Sequence, residues 1–220
     1  MTRTRTVTAV WAAALVAAAT ALADSGLPRI AYTPADQAAA RATVLRRSDF
    51  GSGWTGGRVK PQLSPAPKCG GYHPKQSDLV LTGVAASQYR TATGLEFMSQ
   101  VQVLHTARMV RLDWQRSVVA PGAVACLRSS IAKSLGSRAR LVSFAKVGFP
   151  RVGTYTAAYR AVVDVAVPVG GKVRVVVELV AVGRSRSEIT LTSACPASAR
   201  AAMARAERTL ASKLLRRARA

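Results

Sequence analysis

The chain has 220 residues, of which 49% are hydrophobic, enough to exclude a disordered polymer and to supply a globular core. Lysine and arginine number 32 against 10 aspartate and glutamate, a formal net charge of +22. That imbalance implies nucleic acid as company for a cytosolic chain and envelope polyanions or anionic lipid headgroups for an exported one, unless the arginines form only a solvated surface.

Met1 to Ala23 reads as a secretion signal: Arg3 and Arg5 precede the apolar run Val7 to Ala21, and Ala21-Leu22-Ala23 forms an A-x-A cleavage site before Asp24. The run is shorter than the ~20 residues of a bilayer span, and no cysteine near the site offers a lipid attachment point. The expected mature chain, residues 24–220, is a single domain outside the cytoplasmic membrane.

Thr33-Pro34-Ala35-Asp36 opens the first helix, with threonine as cap, proline at the first position and an acid in the first turn, and the pattern predicts a helix over 34–47. Asp49-Phe50-Gly51-Ser52-Gly53-Trp54 follows as a glycine-spaced loop pinned by two aromatics. It lacks the Gly-Lys-Ser/Thr of a phosphate loop.

Residues 56–78 form a long irregular connection that contains Cys69, and such loops are either functional or stapled. Cys69, Cys126 and Cys195 allow three single pairings; Cys69 with Cys126 is favoured, closing 57 positions at about 4 kcal/mol on the chain-entropy estimate and leaving Cys195 over. A short strand and turn are expected over Asp78 to Arg90 and a strand over Leu95 to His105.

Thr106 caps a helix with Ala107, Val110, Trp114 and Val118 on its apolar stripe; Pro121 starts another with Val124, Leu127, Ile131 and Leu135 inward and Gly136 as the stop. Arg140 to Phe149 is a further strand. Thr154 to Ala194 then reads as three antiparallel strands. Tyr155, Ala157, Tyr159, Ala161, Val163, Val165 and Val167 share a face with Val173, Val175, Val177, Leu179 and Ala181, continued by Ile189 and Leu191, and the turn lies at Val169-Gly170-Gly171. Pro196 opens a final amphipathic helix with Ala199, Met203, Ala206, Leu210 and Leu214 on one line and Arg205, Arg208, Ser212, Arg216 and Arg219 on another, an obvious lid for the meander. The fold class is α+β, an antiparallel sheet packed by helices.

Leu45 to Trp54 after a first helix, Pro67-Lys68-Cys69 in a proline-rich loop, Ala86-Ser87-Gln88-Tyr89, the Ala125-Cys126-Leu127 helix and the closing hairpins with a tail helix together resemble the actinobacterial extracellular sensor domain of mycobacterial receptor kinases and related lipoproteins. The resemblance implies a cleft between sheet and helices, a bridge between positions matching Cys69 and Cys126, and ligand sensing rather than catalysis. This chain departs from it in having neither kinase domain nor lipobox, and its Cys195 has no second partner.

Catalytic chemistry finds few handles. The ten carboxylates are scattered, and Glu178 and Asp164 share their face with Arg160, Lys172 and Arg174, which reads as an exposed charge ladder. His73 and His105 with one cysteine make a poor zinc set, so neither metal nor cofactor is expected. Ser130-Ile131-Ala132-Lys133 has S-x-x-K spacing, but no K-T-G exists, and Leu79 stands where S-D-N needs asparagine. The expectation is a secreted, non-catalytic binding protein with Trp54, Tyr89 and Trp114 lining a cleft for a small or amphiphilic envelope ligand; the alternative holds anionic polymers or lipid headgroups on surface charge alone. Nucleic acid has no ordered motif to support it.

Overall fold

The computed structural model describes residues 26–65, 67, 69–167 and 170–218; the expected signal over Met1 to Ala23 lies outside them, as do Pro168, Val169 and Arg219. The chain runs β1 (Arg29–Ile30), α1 (Pro34–Thr43), β2 (Trp54–Val59), β3 (Val80–Thr91), β4 (Glu96–Leu104), α2 (Ala107–Trp114), α3 (Ala123–Ser134), β5 (Ala139–Val147), β6 (Tyr155–Ala166), β7 (Lys172–Arg184), β8 (Ser187–Pro196) and α4 (Arg200–Arg217). All strands join one sheet in the order β1-β3-β4-β8-β7-β6-β5, with β2 also on β3, and every pairing but β1 with β3 is antiparallel. The α+β class, the meander and the closing helix are as the patterning predicts.

Both faces of the sheet are covered. Met203, Leu210 and Leu214 of α4 and Ala40 of α1, with Val44 and Leu45, pack on Ala158, Val176, Val180, Val182 and Leu191. Leu127, Ile131 and Leu135 of α3 pack on Ala161, Val163, Val165 and Val177 of the other face, where Trp114 of α2 also meets Tyr159 and Leu179. The tail helix therefore lies on the meander but roofs its second face, not the one carrying Val163, Val177 and Leu179. Ile189 and Leu191 change sides as well, because register sets them opposite Val182 and Val180. The mixed face is also apolar enough to need a roof, since Val176, Val180 and Val182 alternate with the residues that define the first face.

Local chemistry sets the element ends. Thr33 Oγ1 accepts from the Asp36 amide at 3.2 Å, with Pro34 in the first turn of α1. The helix stops at Thr43, short of 47, because Val44 and Leu45 go extended into the core and the Leu45 amide donates to Ser99 Oγ at 2.9 Å. In place of a short strand and turn, β3 runs twelve residues, and α1 crosses it at Gly83, where a Cβ would stand 2.3 Å from the Asp36 carbonyl oxygen. A wide π-helical turn over Gln115–Val119 extends α2, and α3 begins after Gly122 (φ +84°), two residues beyond Pro121. The β6–β7 reversal uses Gly170 and Gly171 at φ +87° and +90°, as the glycine pair predicts.

Asp49, in the turn after α1, anchors the far end of α4. Its carboxylate accepts from Arg217 through both oxygens, 2.8 Å to Oδ2, and from the Arg46 amide at 2.9 Å. Burial opposes its ionisation, but the Arg217 hydrogen bonds and the Arg217 and Lys213 charges outweigh that, so its pKa is lowered. The expected bridge is formed: Cys69 and Cys126 are joined, with Cα atoms 5.5 Å apart, pinning to α3 the connection that follows β2, which starts after Val59 rather than at 56 because Gly56 to Val59 pair with β3. Cys195 is free and buried beneath α4. Such a bridge belongs to an oxidising compartment. Among the described residues no helix is long and apolar enough to cross a membrane.

Candidate functional site

The three expected lining aromatics do not share a cleft. Trp54 stacks on Phe50 and Tyr89 tilts against it, with ring centroids 4.8 Å apart in both cases, and Trp54 also meets Phe97 at 5.6 Å. This cluster sits with the α1 and α4 core. Trp114 lies across the sheet, 5.4 Å from the ring of Tyr155. Strand alternation separates them: Tyr89 pairs with Phe97, Phe97 with Ser193 and Ser193 with Glu178, whereas Trp114 packs on Leu179, the next residue along β7 and so on the opposite face. Trp54 and Trp114 are packing residues; Tyr89 touches a groove described below.

A cleft between helices and sheet does exist, with different walls. It lies between the π-helical turn, α3 and β5, with a volume of about 820 Å³, within the usual range for small-molecule sites. The bridge and the Leu127, Ile131 and Leu135 contacts turn one side of α3 to the sheet, which leaves Val124, Ala125, Arg128, Ser129 and Ala132 as a stripe along the groove. Phe144 of β5 supplies the opposite wall, held by a parallel stack on Tyr159 at 5.8 Å. The Tyr159 hydroxyl donates to the Val118 carbonyl at 3.4 Å and fixes the π-helical turn that brings Val118 and Val119 to the mouth. Val119 is 64% exposed. Arg128 and Lys146 are the charged lining residues, and no carboxylate lines the groove. Small helix side chains at 125 and 132 carry too little pattern to be read as a groove from sequence; Phe144 on an edge strand beside Lys146 is the one legible signal.

Two carboxyl pairs are buried away from it. Glu178 of β7 and Glu207 of α4 meet under the tail helix, 3% and 2% exposed. Arg160 Nε and Arg200 Nη2 each reach Glu178 Oε1 at 2.5 Å, and Ser193 Oγ donates to Glu207. Burial raises the Glu178 pKa, but the Glu207 and Arg160 hydrogen bonds and the two arginine charges overcome it, and the net shift is downward. Burial and the bond to Glu178 push Glu207 up to about 8, so it stays protonated at neutral pH. Glu178 is therefore no part of an exposed ladder; only Asp164, held by Arg174 at 2.8 Å, fits that description. On the other face, burial and the Asp113 charge raise Glu188 well above the carboxylate range. Asp113 there accepts from Ser117 Oγ at 2.7 Å and from Gln76.

Neither pair opens into the groove; Glu178, Glu207 and Asp113 are held by internal partners, whereas one oxygen of Glu188 is buried without a hydrogen-bond partner among the described residues. Ser130 and Lys133 make no hydrogen bond to each other, and His73 and His105 are exposed. Among the described residues no three His, Cys, Asp or Glu side chains converge to hold a metal ion.

No protein-family model matches the chain, and no curated protein matches it. Among solved structures, an uncharacterized protein of Mycobacterium smegmatis aligns at 16% identity with a TM-score of 0.44, over 79% of this chain and 93% of that one.

Proposed function

We propose that the protein is an exported, non-catalytic binding domain that takes an anionic amphiphile in the groove between α3 and β5. The observation that carries this reading is the composition of that groove: an apolar wall of Val118, Val124 and Phe144, cationic Arg128 and Lys146, and no acid. An alkyl chain gains by burying its methylenes against such a wall, at about 0.8 kcal/mol for each one removed from water. A carboxylate or phosphate head gains from two cations that have no ion-pair partner among the described residues. The resemblance of the Leu45 to Trp54 and Cys69–Cys126 segments to an extracellular sensor domain supports the same reading.

The test is a titration with a dansyl-labelled fatty acid followed by fluorescence. Saturable binding is expected, weakened about tenfold or more by Ala125→Glu, which sets a carboxylate in the groove at an exposed helix position where no core contact is lost. Equal binding by wild type and variant would overturn the proposal.

A further inference from the structure

We infer a second binding site, on the opposite face of the sheet, for a group that carries two or more phosphates. Arg41 in the last turn of α1, Arg46 and Arg47 in the turn that follows, and Arg58 of β2 converge on one groove of about 680 Å³, and no carboxylate lines it. Two of the four guanidiniums are held by neutral acceptors. Arg47 Nη1 donates to the carbonyls of Phe50 at 3.2 Å and Gly51 at 2.9 Å, and Arg46 donates to Ala42. These bonds orient the side chains and leave their charge uncompensated. Arg41 and Arg58 have neither a side-chain hydrogen bond nor an ion pair among the described residues. Asp49, the acid in the same turn, is consumed by Arg217, Lys213 and the Arg46 amide.

Arg41 and Arg46 each have a local reason to be there, since cations and carbonyl bonds suit the end of a helix. Arg58 has none: it arrives from a different element, where register sets it opposite Ser87, and the largely buried Tyr89 lines the same groove. The outcome is an arginine cradle with an aromatic wall. Guanidinium forks match phosphate oxygens in pairs. A single phosphate leaves most of four positive charges unbalanced, whereas a diphosphate or a bisphosphorylated head balances them and suits the volume.

Calorimetric titration of the full chain with inorganic pyrophosphate, alongside flotation with phosphatidylcholine vesicles with and without a bisphosphorylated inositol lipid, tests this. One-site binding is expected, weakened at least about tenfold by Arg41→Ser with Arg58→Ser. Arg108→Ser with Arg111→Ser, an equal loss of charge from α2 on the other face, is expected to cost less than about twofold. The thermal midpoint of each double variant, compared with wild type, separates loss of the site from loss of the fold. Pyrophosphate binding with that dependence assigns a soluble phosphate ligand, and vesicle binding alone with that dependence assigns a lipid headgroup. Equal weakening by the two double variants, or no binding in either arm, overturns the site.

Discussion

A carboxyl group under a helix survives either ionised between cations or protonated, and Glu178 and Glu207 take one course each. The raised Glu207 value means that between the ordinary glutamate range and about pH 8 the folded chain keeps a proton that the unfolded chain releases. Stability from this group is therefore complete below the unfolded value and is lost as pH climbs through about 8. Glu178 has the opposite sign, its contribution present above the ordinary range and lost on acidification. Glu207→Gln preserves the bond to Glu178 and removes its titration, so thermal midpoints are expected to fall from pH 7 to 9 for wild type and to fall less for the variant, in which the raised Glu188 still contributes a loss of the same sign. A variant that falls as steeply as wild type would assign the alkaline loss elsewhere. Neither glutamate is legible in the sequence as buried. Glu178 alternates with Arg174 and Lys172 as a solvated strand face would, and the protonated carboxyl that meets it comes from a helix some thirty positions later.

Elements are where patterning spoke most clearly. Caps at Thr33 and Thr106, the paired glycines before β7 and the cysteine pairing are all realised as local chemistry requires. What it missed was the second covered face of β7. The run Val175-Val176-Val177-Glu178-Leu179-Val180-Ala181-Val182 is apolar at nearly every step, the mark of a strand sandwiched on both sides, yet reading alternate positions conceals it. The groove was harder still, because its α3 wall sets Val124, Arg128 and Ser129 among alanines that look like helix formers and nothing else. Replacing Gly83 tests the crossing of α1 over β3: Gly83→Ala is expected to cost about 2 kcal/mol in urea unfolding, since the methyl has backbone rather than a movable side chain in its way. Cys69→Ser with Cys126→Ser is expected to cost about 4 kcal/mol by the same measurement. Native protein should take up no iodoacetamide at Cys195, which burial both shields and holds as the thiol, its pKa up to about 11.

At the scale of the molecule, helices on both sides share one sheet, so the two layers stand or fall together. Trp54 reports on one layer and Trp114 on the other, and with Trp11 replaced by phenylalanine in both, the variants Trp54→Phe and Trp114→Phe are expected to show coincident urea transitions. Transitions that separate would mean that the layers melt independently. The order of the sheet carries a further consequence. Its central member, β8, is the last strand to be synthesised, and it alone joins the β3–β4 half to the β5–β7 half of the sheet. Until residues 187–196 emerge there is no keystone, and the nascent polypeptide remains two unlocked flaps. A protein assembled in that sequence completes its sheet only when synthesis is nearly finished.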